Sequence, residues 1–272
     1  MQPQPEILPT EGLHVVHLFL RVENAQWDLL DKTSRIEAKT ALAELVREIR
    51  ATPRTQLLLL SMVTPKADLG FMLLTPELQA ADAFCKRLVL ALGPEILSPT
   101  FSWLSLTERS EYTTSNEEYA RTLEIDEHLV PGTPEFEEKM NAFSARMKKY
   151  LNDRLEPNLP DWPVVCLYPM SKRRATGQNW YALDFDQRKK LMAGHARVGR
   201  TYSGRILQLI TGSTGLDDEE WFVTLFAKTT SDIKAIVYEM RFDEVSAQYA
   251  EFGEFLIGIQ LPLDALYDRL SL

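Results

Sequence analysis

The sequence predicts an α+β fold made of two ferredoxin-like βαββαβ repeats. Three observations carry that prediction. Apolar runs and amphipathic stretches follow the order β-α-β-β-α-β, the second half repeats the order, and a segment of different character separates the halves. A chain of 272 residues lies near the upper limit of what one hydrophobic core supports, so one large domain or two small ones are both compatible with it.

Residues 1–12 are proline-rich and are expected to be a flexible N-terminus. LHVVHLFLRV at 13–22 is dense in β-branched and bulky apolar residues and reads as a strand. A helical pattern then runs from Trp27 to Arg50, with Ile36, Ala43, Leu45 and Ile49 in its stripe, and Thr52-Pro53 ends it. Gln56–Val63 and Leu69–Leu74 form a hairpin across a Pro-Lys-Ala-Asp turn, Thr75-Pro76 opens a helix with proline at its first position, and Ser102–Arg109 is a strand. The N-terminal half thus covers 13–110. Residues 111–162 form a connecting segment, with acidic stretches, a helix from Pro134 to Arg154 and a proline-stiffened linker. The C-terminal half, 163–272, resumes the pattern. Strands are expected at 164–170, 205–212, 220–227 and 254–261, and helices at 185–199 (capped by Asp184), at 230–240 and from Pro262.

Composition narrows the functional classes. The chain is 45% hydrophobic and 25% charged, as soluble globular proteins are, which excludes disordered and collagen-like chains. Its 30 basic and 39 acidic residues give a net charge of −9, which argues against non-specific nucleic-acid binding. Cys85 and Cys166 sit in apolar runs and are expected to be buried thiols in a reducing compartment. No basic segment followed by an apolar stretch opens the chain, and no apolar run is long enough to span a bilayer, so the expected location is cytoplasmic, without membrane insertion.

Four histidines are present, His14, His17, His128 and His195, with neither HExxH spacing nor a zinc-like cluster, and Walker A, GxGxxG and GxSxG motifs are absent. His195 shares a helix face with Leu191, Met192, Val198 and Gly199. A lone histidine on such a face is more often a satisfied core residue; as a ligand, it would be the familiar single imidazole of a heme iron. Tyr168-Pro-Met-Ser-Lys172-Arg173-Arg174 places a phenol and three bases at a strand end. That pattern fits a solvated end, or an anion pocket with a redox-capable tyrosine. Arg154 and Arg241 are further cations, each equally suited to a surface ion pair.

YPMSKRR at 168–174, NWYAL at 179–183, RKKLMAGHARVGRTYSGRILQLITGS at 188–213, DDEEWFVTLF at 217–226 and YEMRFDEVSAQYAEFG at 238–253 together resemble the coproheme decarboxylases of the chlorite dismutase superfamily. The resemblance is strong over about 154–260, with echoes in KADLGFMLL and SLTERSEYT, and weak over 110–162. It implies a chlorite dismutase-like α+β barrel fold, with iron porphyrin held in the C-terminal half and the N-terminal half serving as scaffold and subunit interface. It also implies peroxide-dependent conversion of two propionates of iron coproporphyrin III to vinyls, giving heme b. A homopentamer follows from it, as does transient contact with the chelatase that inserts the iron.

By the same resemblance His195 is the iron ligand, Tyr168 the catalytic tyrosine, and Lys172 a propionate contact that helps the second decarboxylation. Arg154 and Ser246 match propionate-binding positions, Pro169, Met170 and Ser171 line the same site, Gln208 stands on the distal side of the iron, and Arg241 lies near the porphyrin. Gln208 replaces the distal arginine of true chlorite dismutases, which separates this chain from that activity. His128 falls in the divergent segment and is expected at the surface. The alternatives are a chlorite dismutase-like or other heme peroxidase, and a non-enzymatic heme carrier or sensor, which would need His195 but not Tyr168.

Overall fold

A computed structural model of the protein describes residues 6–272. The N-terminal half contains β1 (His14–Val22), α1 (Asn24–Leu29), α2 (Lys32–Ala51), β2 (Gln56–Met62), β3 (Leu69–Thr75), α3 (Leu78–Leu90) and β4 (Leu97–Thr107). The connecting segment holds α4 (Asn116–Ile125) and α5 (Pro134–Leu155). Next come β5 (Val164–Lys172), the short ribbon β6 (Arg174–Ala175) and β7 (Gln178–Asn179), and a 3-10 turn at Trp180–Ala182. The chain continues with α6 (Phe185–Thr201), β8 (Ile206–Gly212), β9 (Trp221–Ala227), α7 (Thr230–Met240), α8 (Glu244–Tyr249), β10 (Ala250–Phe252), β11 (Leu256–Gln260) and α9 (Leu263–Leu270).

Each half forms an antiparallel ferredoxin-like sheet, ordered β2-β3-β1-β4 in the first and β11-β5-β9-β8 in the second. β4 pairs with β8 and β11 pairs with β2, so the two sheets join edge to edge at both sides and close an eight-stranded barrel. Period-two alternation sorts the side chains. Val15, Phe19, Leu60, Met72 and Trp103 from the first half meet Val165, Leu167, Leu209, Phe222 and Phe226 from the second inside the barrel. His17 is also buried; it stacks on Phe222 at 4.1 Å, and its Nε2 lies 3.2 Å from Thr224 Oγ1 across the halves. Burial pushes its pKa down to about 3, so it is a neutral core residue.

Several boundaries differ from the expected ones. The first helical stretch is broken at Leu30-Asp31, where the Asp31 carboxylate accepts the Ser34 amide and starts α2. Pro76 does not begin α3; Glu77 caps it by accepting the Ala80 amide at 2.6 Å. β4 starts five residues earlier than Ser102, at Leu97, and the register shift between Phe19 and Leu20 absorbs Thr100. α4 was not anticipated, although Ser115 and Glu118 form a capping box. The β6–β7 ribbon, α8 and β10 were likewise missed. Cys85 is only half-buried, whereas Cys166 is buried as expected. Within the N-terminal stretch expected to be flexible, residues 1–5 lie outside the described residues, while the Ile7 amide bonds Glu77 and the Ile7 carbonyl accepts the Leu78 amide.

Among the described residues no helix is long and apolar enough to cross a membrane.

Candidate functional site

The outer face of the second sheet carries the site. Register partners across an antiparallel ladder share a face, so Cys166, Leu225 and Gln208 form one row and Tyr168, Val223 and Ile210 the next. Gln208 and Tyr168 therefore look out from the same side, towards the helices. α7 packs down on this face through buried Ile233 and Ile236. α6 does not; none of its residues is buried. Its N-terminus is fixed by the Asp184–Gln187 capping box, and Leu191 and Met192 rest on a small cluster of Trp180, Val245 and Tyr249. Beyond these, α6 packs on α7 and α8 rather than on the strands, except towards its C-terminal end. Gly199, one turn past His195, marks a close approach: a Cβ there would lie 3.3 Å from Met240 Cε and 3.6 Å from Gln208 Nε2.

His195 projects from α6 with Nδ1 3.0 Å from Asp243 Oδ2. A carboxylate can only accept, so Nδ1 carries the hydrogen and the Nε2 lone pair is left for a metal. The Asp243 side chain is 8% exposed and also caps α8, accepting the Ser246 amide at 3.2 Å and the Ser246 hydroxyl at 2.9 Å. Burial alone would raise the Asp243 carboxyl, but the hydrogen bonds from His195 and Ser246 outweigh it and hold it below the usual range. Asp243 was missed from the sequence. FDEVS shows a capping residue before a short helix, and only the fold brings it to His195. Ser246, as placed, commits its hydrogen to Asp243 and so supports the histidine from behind.

The strand β5 delivers the other groups. Tyr168 is buried, its ring stacked on Phe255 at 4.4 Å and edge-on to Phe252 at 5.8 Å. Burial, reinforced by Cys166, raises its pKa and keeps the phenol protonated, and its hydroxyl makes no hydrogen bond to the described residues. Pro169 fits the strand because the outer neighbour of β5 changes there, from β11 at Leu167 to β10 at Met170. Gly253 bridges the gap, its amide donating to the Pro169 carbonyl at 2.9 Å with no room for a Cβ beside the proline ring. Met170 and Ser171 continue the strand; the Met170 carbonyl and the Ser171 hydroxyl both accept the Glu220 amide.

Lys172 ends β5 and is buried, its ammonium 4.6 Å from the Trp180 ring centre. Burial pushes its pKa down to about 8, against the opposing charges of Asp243 and Glu220. Arg154, in the last turn of α5, is half-buried and donates through Nε to the Glu108 carbonyl at 3.0 Å. The Glu108 carboxylate in turn accepts the Trp221 indole hydrogen, and Trp221 is the register partner of Met170, so Arg154 stands at the Met170 end of the sheet. Arg241 caps the C-terminus of α7 and lies 5.7 Å over the Phe252 ring. It also helps line a cavity of about 340 Å³ between α7 and strands β5 and β11.

Helix α4 ties the connecting segment to α6. Glu118 pairs with Lys189 at 2.5 Å, and Arg188 donates to the Tyr112 hydroxyl at 3.3 Å. His128 is exposed with φ 56° and takes no part in this contact.

Comparison with known proteins agrees with this architecture. Residues 35–261 match the family described as chlorite dismutase. A heme-binding protein from Thermus thermophilus superposes with a TM-score of 0.80 at 36% identity, covering 99% of both chains. The chlorite dismutase of Candidatus Nitrospira defluvii (R173K variant) superposes at 0.72 with 18% identity over 97% of each chain, which speaks to the fold. A Natronomonas pharaonis protein described as a "putative heme-binding protein" is 35% identical over 253 residues, 92% of this chain, which spans only 39% of that relative's length. The barrel of two ferredoxin-like halves, the extent of the family match and the full-length similarity to a heme-binding protein together show that this chain belongs to the chlorite dismutase family.

Proposed function

We propose that the groove between α6 and the outer face of the second sheet binds iron coproporphyrin III, and that the protein decarboxylates two of its propionates to give heme b. The observation that carries this reading is the placement of His195: its Nδ1 is committed to a buried carboxylate, its helix stands off the sheet, and Gln208 faces that helix from the strands. The donor set fits such a substrate, which offers a metal to one imidazole and four carboxylates to cations. Lys172, Arg154 and Arg241 are distributed around this half of the barrel as those cations.

The bound iron, with hydrogen peroxide as co-substrate, supplies the oxidising equivalents. Each propionic acid and one peroxide give a vinyl group, carbon dioxide and two waters. The chain's own groups do the rest. Asp243 holds the His195 ring and strengthens it as a donor. Tyr168, protonated and without a hydrogen-bond partner among the described residues, has a phenolic hydrogen that can be removed and returned, so it can relay abstraction of a hydrogen from the β-carbon of a nearby propionate. Phe252, Phe255 and Met170 around it exclude water. Gln208, neutral, can donate a hydrogen bond to an iron ligand but adds no positive charge, which favours decarboxylation over chlorite chemistry.

Cytoplasmic location, assembly as a homopentamer and transient contact with the iron-inserting chelatase belong to the same reading. The test is anaerobic loading with iron coproporphyrin III followed by peroxide titration and mass spectrometry of the porphyrin. Two successive losses of carbon dioxide plus two hydrogens are expected. Bleaching without those losses would overturn the assignment and leave a heme carrier or another peroxidase.

A further inference from the structure

Glu220 immediately precedes β9 and is almost wholly enclosed, with its side chain 4% exposed. A buried carboxylate must be matched by donors, and this one is matched by the segment that follows Tyr168. Oε2 accepts the Lys172 backbone amide at 2.8 Å. Oε1 accepts the Arg174 guanidinium, and the carboxylate also takes the Tyr181 hydroxyl. Its own amide donates to the Met170 carbonyl and the Ser171 hydroxyl, and its carbonyl accepts the Ser213 amide at 2.8 Å. One residue thus joins the end of β5, the β6–β7 ribbon, the 3-10 turn and the exit of β8.

The consequence falls on Lys172. Its backbone is held by Glu220, and its ammonium rests on Trp180, which the same ribbon carries; the Trp180 amide donates to Arg173 at 2.9 Å. Glu220 also sets a negative charge near that ammonium. Along a strand, four residues span about 13 Å, so Lys172 is offset from Tyr168 and leans away towards Trp180. The two residues therefore address different carboxylates of one porphyrin. We infer that Glu220 is a positioning residue that fixes Lys172 and the Arg174–Ala182 ribbon, and thereby governs which carboxylate-bearing edge of the porphyrin is held while Tyr168 reacts. It touches no substrate itself, and the inference rests on the proposed function of the same site.

The experiment compares Glu220→Ala, Glu220→Asp and Arg174→Ala with the wild-type chain, each loaded with iron coproporphyrin III and titrated with peroxide. Glu220→Ala is expected to keep the wild-type iron-ligation spectrum and first decarboxylation, to slow the second about tenfold or more, and so to accumulate the three-propionate intermediate. Hydrogen exchange at the Lys172 amide should accelerate alongside. Glu220→Asp should fall between, and Arg174→Ala, which removes only the exposed partner, should stay near wild type. If Glu220→Ala does not fold, Glu220→Gln, which keeps an oxygen for the Lys172 amide but loses the charge, is expected to show the same imbalance between the two steps. Wild-type proportions of intermediate and product, or equal slowing of both steps, would overturn the inference. Should the wild-type chain form no vinyl product, the proposed reaction falls instead. The inference then stands or falls on whether Glu220→Ala loses the preference for iron coproporphyrin III over iron protoporphyrin IX, which has two fewer propionates.

Discussion

The two halves of the barrel share one strand order and differ in what lies on top of it. In the first half α2 buries Leu42, Leu45, Val46 and Ile49, and α3 buries Ala81, Phe84 and Leu88, against the outer faces of Leu20, Leu59, Phe71 and Leu73. In the second half α7 packs in the same manner, but no residue of α6 is fully buried. The same sheet that is sealed on one side is open on the other. Polar and ionisable residues follow that difference: Gln208 and His195 border the open side, Tyr168 and Lys172 lie buried on β5 of the same sheet, and the first-half positions facing α2 and α3 are leucine, valine and phenylalanine. In this family member, one helix is held away from a surface that its counterpart in the other half covers.

The largest effect is expected at the tyrosine. Tyr168→Phe keeps the ring that stacks on Phe255 and removes the phenol, so it is expected to bind iron coproporphyrin III normally yet form no vinyl product; product at the wild-type rate would remove Tyr168 from the chemistry. Next comes the open helix. Gly199→Leu would press on Met240 and Gln208 where even a Cβ is a tight fit, and is expected to weaken porphyrin affinity by on the order of a hundredfold, as read by titration. Asp243→Ala leaves His195 without its acceptor and should weaken iron ligation 10–100-fold, roughly, with a changed ligand-field spectrum.

Stability sharpens the same contrast. Ile49→Ala, in the sealed half, should cost about 2–5 kcal/mol in denaturant unfolding. Leu191→Ala on α6, only partly buried, should cost less than about 1.5 kcal/mol. Equal losses would mean that α6 is as firmly packed as α2. The smallest effect is that of pH. Lys172 is charged below about 8 and neutral above it, because burial lowers its pKa, so its attraction for a carboxylate is present at neutral pH and lost as pH rises through that value. Porphyrin affinity should fall by no more than about tenfold between pH 7 and 9, and Lys172→Met should abolish the fall.

Strand order and most helices were legible because their signals are local: alternation along β1–β3, caps at Asp184 and Thr133, turn residues between β8 and β9. Closure of the barrel was implied by the resemblance alone, since nothing in the β4 or β11 segments announces that each pairs with the other half. Tyr168, Lys172, His195 and Gln208 were found through resemblance, and the structure brings His195 and Gln208 to facing elements and Tyr168 onto the same sheet face as Gln208. Asp243 and Glu220 escaped because their meaning is entirely tertiary. One looks like a helix cap in FDEVS, the other like the last of four solvated acids in DDEE, and neither spacing hints at the partner far along the chain.

The double seam of the barrel has a further consequence. A ferredoxin-like sheet ends in two strands whose outer hydrogen-bonding groups are unmet, and such edges invite other chains. Here each half supplies the missing neighbour of the other, through Leu106 and Thr107 with Thr211 and Gly212, and through Leu60–Met62 with Gly258–Gln260. Separating the halves at the linker would release four edges and the apolar interior at once. The duplicated unit thus covers the long edges of both its sheets with its own strands, and only the short β10 is left outermost beside β5.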